Sequence, residues 1–153
     1  MPALTCTPAV ERCLDGSRLT LPRGCREVFG DTAAVTADLV GCILVTPPAL
    51  WDELLPSLRE QSQVSHHAEQ LFRFLSASEA SVPVDERGRI VIPRLHLEWA
   101  GMSPNKAVVV VALGRMAEIW EPRRLSMHLT LARRKLRDLD SHLFREQLNL
   151  LEA

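Results

Sequence analysis

Arg89-Ile-Val-Ile-Pro-Arg94 follows directly on the turn-like string Asp85-Glu-Arg-Gly88 and decides how the rest of the chain is interpreted. The same pattern stands earlier as Arg18-Leu-Thr-Leu-Pro-Arg23, at an offset of 71 residues. Two further pairs keep that offset: Glu27 with Glu98, and Gly30 with Gly101. An ordered series of matches at one spacing is the signature of an internal repeat.

The repeat continues toward the C-terminus with a change of register. The run from Cys42 to Pro48 matches the run from Met116 to Pro122 at an offset of 74, which indicates a three-residue insertion in the second copy. Each copy is predicted to contain a turn, a strand, a short helix and two further strands. The predicted helices are Arg23–Phe29 and Arg94–Ala100, followed by strands near Ala34–Leu39 and Cys42–Thr46 in the first copy and at Ala107–Leu113 and Met116–Trp120 in the second.

The remaining segments favour helices. Between the copies, apolar residues recur at helical spacing from Leu50 to Leu58, with Pro56 as a possible break, and a second helical stretch runs from Ser65 to about Ala77. A leucine repeat beyond Arg124 predicts one long or two shorter amphipathic helices. The predicted organisation is a first unit (9–52), a helical connector (53–81), a second unit (82–125) and a C-terminal helical segment (126–153).

Composition excludes several classes of function. The 153 residues carry a net charge of −1, which rules out a strongly basic nucleic-acid clamp, although a local basic face remains possible. No apolar run is long enough for a membrane span and no signal peptide is visible, so we expect a cytoplasmic location. The four cysteines, Cys6, Cys13, Cys25 and Cys42, lack metal-site spacing and predict reduced, mostly buried thiols. We therefore expect no metal, no cofactor and no catalytic constellation.

The string Asp85-Glu-Arg-Gly-Arg-Ile-Val-Ile-Pro93 resembles the signature of the MraZ family, whose half-units belong to the swapped-hairpin AbrB superfamily. Arg73-Phe-Leu, twelve residues before Asp85, and the strand ending Glu118-Ile-Trp120 are also similar to the family pattern. The resemblance implies an α+β fold with a mostly β core, in which two tandem AbrB-like units form a double-hairpin, barrel-like core with connecting and C-terminal helices.

The same resemblance implies a function. Proteins of this family are transcriptional regulators that bind short direct repeats upstream of a cell-division and cell-wall gene cluster, form ring-like oligomers and associate with the nucleoid. DNA and further copies of the chain are therefore the expected partners, without a membrane or a small-molecule substrate. The family motif, aspartate followed four residues later by arginine, marks the DNA-facing surface and corresponds here to Asp85 and Arg89.

The chemistry of the motif has a simple basis. An aspartate across a tight turn can fix an arginine side chain through charge-assisted hydrogen bonds, and a fixed guanidinium can address phosphate or a guanine edge. The same pair could equally serve only to staple the turn. Basic residues cluster around both turns, so the candidate DNA-binding set is Arg89, Asp85, Arg87, Arg94, Arg18, Arg23 and Arg12.

The first copy departs from the motif. Aligned without a gap, Leu14 stands where the aspartate should be and Asp15 is displaced by one residue. Either the first turn is one residue shorter, or the first copy has lost its acidic partner. An assembly module of the same fold without specific DNA binding is the alternative function, and the near-neutral net charge slightly favours it.

Overall fold

A computed structural model describes residues 9–137, 145–146 and 149–150. Within these residues the chain is α+β, with five helices and eight strands. The strands are β1 (Ala9–Cys13), β2 (Arg18–Thr20), β3 (Thr32–Ala37), β4 (Ile43–Thr46), β5 (Ala80–Pro83), β6 (Arg89–Val91), β7 (Ala107–Leu113) and β8 (Met116–Trp120). The helices are α1 (Arg23–Phe29), α2 (Pro48–Ser62), α3 (His66–Ser78), α4 (Arg94–Ala100) and α5 (Pro122–Leu136).

The strands form two antiparallel sheets in which the two copies exchange strands. The larger sheet has the order β1-β7-β8-β4-β3-β5, and β2 pairs with β6 in a two-stranded ribbon. The first strand of each copy thus lies against the third strand of the other copy. Strands β1 and β5 were not predicted, because these short segments gain their hydrogen-bond partners only from the other copy.

The two copies are related by an approximate two-fold axis. In the ribbon Leu19 faces Ile90, and in the larger sheet Leu44 faces Glu118. These pairs carry the offsets of 71 and 74 residues found in the sequence. Strands β3 and β7 correspond at an offset of 75 residues. Ala33 of β3 pairs with Val82 of β5, and Val108 of β7 pairs with Arg12 of β1 in the equivalent way. The additional residues of the second copy lie between α4 and β7.

The core lies between the ribbon and the inner face of the larger sheet. Leu19 and Ile90 of the ribbon and Ile43 and Ile119 of the larger sheet are at most 1% exposed. Burial of a side chain of this size contributes about 1.5–3 kcal/mol. Since each copy supplies two of these four residues, both copies are needed to complete one core. The core members are Leu14, Leu19, Leu21, Cys25, Phe29, Ala33, Val35, Ile43, Val45, Val82, Val84, Ile90, Ile92, Leu97, Ala100, Met102, Val108, Val110, Ala117 and Ile119.

The predicted helices of the repeat are confirmed, and one predicted strand is corrected. Helices α1 and α4 begin after Pro22 and Pro93, whose backbone already has the φ that a helix entry needs. Strand β3 ends at Ala37 rather than near Leu39. The backbone N–H of Asp38 donates to the carbonyl of Cys42, which closes a hairpin turn over the residues that alternation alone had placed in the strand.

The connector consists of two helices that pack on the outer face of β3. Helix α2 runs through Pro56 without a break, and the Ser65 hydroxyl caps α3 by accepting from the backbone N–H of Ala68. Trp51 and Leu75, one from each helix, are buried there against Ala34. No helix of the described residues has the length and apolar character needed to cross a bilayer.

The described residues up to Pro122 form one compact unit, and those from Arg123 onward form a second. In the C-terminal unit, helix α5 has no buried residue and carries Arg133, Arg134 and Lys135 in its last turn. This helix agrees with the amphipathic pattern of the sequence. The predicted helical continuation through Leu139 and Leu143 lies outside the described residues.

Candidate nucleic-acid interface

The ribbon presents one buried and one exposed face. Arg18 is paired with Val91, and Thr20 with Arg89, while Leu19 and Ile90 alternate with them. Paired residues of an antiparallel ladder lie on the same face, and successive residues alternate between faces. Leu19 and Ile90 are buried, so the other four side chains share the outer face. We call this surface, Arg18, Thr20, Arg89 and Val91, the ribbon face.

Asp85 organises the second turn, which leads into β6. Its Oδ1 accepts the backbone N–H groups of Arg87 and Arg89, each at 2.9 Å. Its Oδ2 accepts the Nε–H of Arg89 at 2.7 Å, a short charge-assisted bond. Gly88 closes the turn at a φ of 74°, a value that side-chain-bearing residues rarely adopt. The sequence hypothesis that Asp85 can fix Arg89 therefore agrees with the geometry.

These contacts favour the ionised form of the carboxylate. The pKa of Asp85 is lowered from its ordinary value, mainly because the backbone N–H of Arg89 donates to the carboxylate, with the Arg89 side chain and the Arg87 backbone adding to the effect. Arg89 donates only its Nε–H to Asp85, which leaves the two terminal amino groups of the guanidinium for a ligand. The Arg89 side chain is 28% exposed.

The first turn is one residue shorter. Asp15 and Arg18 exchange both backbone hydrogen bonds at 2.9 Å, whereas Asp85 makes the corresponding bond to Arg89. Leu14 is buried and donates its N–H to the carbonyl of Lys106. Val84, also buried, makes the equivalent bond to the carbonyl of Asp31. Leu14 therefore corresponds to Val84, and Asp15 corresponds to Asp85. Of the two alternatives left by the sequence, the shorter turn is the correct one.

The aspartate of the first turn does not hold the arginine. Among the described residues, Arg18 takes part in no ion pair and its side chain is exposed. The turn is instead held by Asn105 of the second copy, whose Oδ1 accepts the N–H of Gly16 at 2.7 Å. The backbone N–H of Asn105 also donates to the carbonyl of Gly16 at 3.1 Å. The two turns are thus both fixed, but only the second fixes its arginine.

The other arginines of the predicted set lie in different environments. Arg87 is exposed on the second turn, and Arg23 and Arg94 are exposed at the starts of α1 and α4. Arg94 donates to Glu98 at 3.0 Å, which offsets its charge. Arg12 is half-buried on β1 and is paired with the fully buried Val108, so it shares the inward side of the strand rather than the ribbon face.

One basic residue next to the second turn was not predicted from the sequence. The Cδ of Arg26 on α1 lies 3.8 Å from the point where Gly88 would carry a Cβ. Arg26 is exposed and belongs to the first copy, whereas the turn belongs to the second. Proximity across the strand exchange leaves no signal in the local sequence.

The remaining titratable residues do not extend this surface. His66 and His67 are exposed, while His96 is buried with its Nε2 2.6 Å from the Ser78 carbonyl oxygen. Among the cysteines, Cys25 and Cys42 are buried and Cys13 is exposed, while Cys6 lies outside the described residues. Burial and the neighbouring carboxylates of Glu118 and Asp38 raise the pKa of the Cys42 thiol.

Comparison with known proteins assigns the family. The chain matches no family model. It is 31% identical over 110 residues to the transcriptional regulator MraZ of Roseiflexus castenholzii, covering 72% of this chain and 76% of that protein. It is 32% identical over 111 residues to MraZ of Heliobacterium modesticaldum, with 72% and 76% covered. With MraZ of Clostridium acetobutylicum it shares 29% identity over 108 residues, with 71% and 75% covered.

These relatives define the class of the protein as transcriptional regulators, which are not enzymes. The chain belongs to the MraZ family. The resemblance inferred from the Asp85–Pro93 string is thereby confirmed over most of the chain.

Proposed function

We propose that this regulator binds short direct repeats in DNA as a ring-like homo-oligomer, with the ribbon face of each chain against the DNA. One observation carries the proposal. Arg18 and Arg89, one from each copy, lie on the same exposed face of the ribbon, and Asp85 holds Arg89 at 2.7 Å. Two arginines on a common face are the arrangement that a local basic contact requires in a chain whose net charge is only −1.

The geometry supports a different role for each arginine. Arg89 is fixed through its Nε, so its terminal amino groups can form bidentate bonds to a guanine edge or a phosphate with little loss of side-chain freedom. Arg18 is exposed and carries no ion pair among the described residues, which suits a looser contact with a phosphate. Arg87 and Arg26 next to the second turn add positive charge on that side.

Oligomerisation supplies the affinity that one chain lacks. Linked weak contacts raise the effective concentration of each successive contact, and a ring of equal units suits repeats at a regular spacing. Exposed apolar residues support self-association: Leu95 is 77% and Trp99 41% exposed, beside a groove of about 830 Å³ between α3 and α4. Light scattering at micromolar concentration should therefore give a mass well above 17.1 kDa.

The rest of the proposal follows from the repeat. We assign residues 9–52 and 82–125 to two AbrB-like units of the swapped-hairpin type, joined by a connector at 53–81 and followed by the segment 126–153. The exchange of β1 and β5 between copies supports this assignment. Chromosomal DNA as the ligand implies a cytoplasmic, nucleoid-associated location, and binding requires no cofactor or small-molecule substrate.

A DNA-shift experiment tests the proposal. The probe is the region upstream of the protein's own gene, and the affinity is measured over a series of salt concentrations with wild type, Arg89→Ala and Arg115→Ala. Arg115 is the matched control, because it also pairs with a carboxylate, Glu53 at 3.5 Å, but lies between β7 and β8, outside both the ribbon face and the groove. We expect Arg89→Ala to weaken binding and flatten the salt dependence, and Arg115→Ala to behave like wild type.

The alternative is an assembly module that does not read DNA. The acidic residues Asp15, Asp85 and Glu86 on the two turns, together with the net charge of −1, favour it. An oligomer that binds neither the upstream region nor an unrelated duplex at low salt would support this alternative and contradict the DNA-binding proposal.

A further inference from the structure

Three potential metal ligands meet on the outer face of the larger sheet, away from the ribbon. The ligand atoms of Asp38, Cys42 and Glu118 all lie within 4.8 Å of one another. Cys42 is fully buried and the two acidic residues are half-buried. Asp38 and Cys42 flank the turn between β3 and β4, while Glu118 lies on β8. The group therefore joins a hairpin of the first copy to a strand of the second.

The fold itself does not require these polar residues. The approximate two-fold axis relates Asp38 to Leu113, Cys42 to Met116 and Glu118 to Leu44, according to the registers of the paired strands. All three counterparts are apolar. Partly buried carboxylates and a buried thiol are less favourable at such positions than apolar side chains unless they have a partner. The polar group on one side of the axis therefore indicates a function that the other side lacks.

A neighbouring hydroxyl gives an independent indication. Thr36 is 0% exposed, and its Oγ1 has no hydrogen-bond partner among the described residues. Thr36 precedes Asp38 by two residues and faces Leu44, which in turn faces Glu118, so its side chain lies on the same face of the sheet as the three ligands. A buried polar atom without a protein partner is the kind of group that an ordered water or an ion satisfies. The two-fold counterpart of Thr36 is the apolar Val111.

We propose that Asp38, Cys42 and Glu118 bind one divalent transition-metal ion of the zinc class, with a water as the fourth ligand on the face of the sheet that Thr36 shares. One thiolate with two carboxylates is a donor set that zinc accepts and that magnesium or calcium does not select. In a tetrahedral site with bonds of about 2.0–2.3 Å the donor atoms lie about 3.5 Å apart. The Sγ of Cys42 is 3.6 Å from Oε2 of Glu118, so this pair already has the required separation.

The surrounding hydrogen bonds orient the carboxylates. Oδ1 of Asp38 accepts the backbone N–H of Val40 at 3.0 Å, which leaves Oδ2 for a metal. Oε1 of Glu118 accepts the indole N–H of Trp120 at 3.1 Å, which leaves Oε2 directed at Cys42. The Cys42 thiol now donates to Glu118; metal binding would replace that proton, release it to solvent and bond the thiolate to the ion.

A metal in this place would tie the two copies together and stabilise the folded state. Any ligand that binds the native chain and not the unfolded chain raises stability in proportion to its binding. Because the ligands come from a hairpin of one copy and a strand of the other, loss of the metal should loosen the exchanged sheet without touching the ribbon face. This inference is independent of DNA binding.

The probe is cobalt(II), which reports a thiolate ligand by a ligand-to-metal charge-transfer band. Full-length protein, reduced and stripped with a chelator, is titrated with cobalt(II), and thermal unfolding is recorded with and without zinc. The test variant is the triple change Asp38→Leu, Cys42→Met and Glu118→Leu, which copies the apolar side of the two-fold axis and should therefore fold. Cys25→Ala is the matched control, since Cys25 is equally buried in the core but lies outside the cluster.

We expect the charge-transfer band at one equivalent of cobalt(II) in wild type and Cys25→Ala, and a rise in melting temperature with zinc. The triple variant should unfold cooperatively, lack the charge-transfer band and show the same melting temperature with and without zinc. The proposal is overturned if wild type shows no band and no zinc-dependent stability. It is equally overturned if the folded triple variant keeps the band, because another cysteine would then be the ligand.

Discussion

The two turns of the repeat are held in place by different hydrogen bonds. Asp85 accepts two backbone N–H groups and the side chain of its own arginine within one turn. The first turn is closed by the backbone bonds between Asp15 and Arg18 and by Asn105 of the second copy, and the Arg18 side chain takes no part in it. The two turns differ in length by one residue, and in the longer turn the Arg89 side chain lies beside the carboxylate of Asp85. Among the described residues, the second copy therefore has an arginine held by its aspartate, and the first copy has an exposed arginine without an ion pair.

The largest effect on DNA binding is expected from Arg89→Ala. A bidentate arginine contact to a base edge contributes about 1–3 kcal/mol, so affinity should fall by about 5- to 150-fold. Arg89 is on the surface side of the ribbon, and the unfolding free energy should change by no more than about 1 kcal/mol. DNA-shift titrations and urea unfolding measure the two quantities; unchanged affinity with an unchanged salt slope would remove Arg89 from the interface.

A smaller loss is expected from Asp85→Ala, which leaves the charge of Arg89 but removes its support. Arg89 would then behave as Arg18 does, and affinity should fall by less than in Arg89→Ala. Glu86→Ala on the same turn is the control, because it removes one negative charge without touching the pair. A gain in affinity equal to that of Glu86→Ala would mean that Asp85 acts only as a repelling charge.

The same residue makes stability depend on acid pH. The pKa of Asp85 is lower in the folded chain than its ordinary value of about 3.9, so its contribution is complete above that value and is lost as the pH falls through the folded pKa. In Asp85→Asn this part of the acid dependence should be absent. Urea unfolding from neutral to acidic pH measures it, and parallel curves for wild type and variant would contradict the assignment.

Arg18→Ala should weaken DNA binding least of the ribbon substitutions. A mobile side chain loses about 0.5–1.5 kcal/mol of entropy when it is immobilised, so the contact of Arg18 is worth correspondingly less than that of Arg89. Affinities of both alanine variants for one operator at one salt concentration test the order. If Arg18→Ala is the more damaging change, the first copy is the main DNA-reading element.

Substitutions of Asn105 should change stability and leave DNA binding nearly intact. Asn105→Gly removes the bond to Gly16 and should cost about 1 kcal/mol. Asn105→Ala should cost about 1 kcal/mol more, because Asn105 has a φ of 62° that alanine adopts poorly. Asn105→Asp, which keeps the acceptor, is the control. Equal unfolding free energies of the glycine and alanine variants in urea would show that the positive φ at residue 105 does not destabilise the alanine variant.

The elements that could be predicted from the sequence are local, whereas those that could not depend on the exchange of strands between the two copies. The helices Arg23–Phe29 and Arg94–Ala100 and the hairpin of β7 and β8 were predicted at their observed bounds, since proline, glycine and alternation mark them directly. The pairing of β1 and β5 with the other copy, the clamp from Asn105 and the position of Arg26 were not found. Each of these joins residues far apart in sequence, and a single chain gives no local signal for such contacts.

The most direct test of the account is a pair of double-mutant cycles on DNA affinity, one for Asp85 and Arg89 and one for Asp15 and Arg18. If Asp85 prearranges Arg89, the alanine changes should be coupled by about 1 kcal/mol, because Asp85→Ala has nothing left to disturb once Arg89 is gone. The cycle on Asp15 and Arg18 should give a coupling near zero. Equal coupling in both turns, or no coupling in the second, would contradict the claim that Asp85 of the longer turn holds Arg89 in place for its contact with DNA.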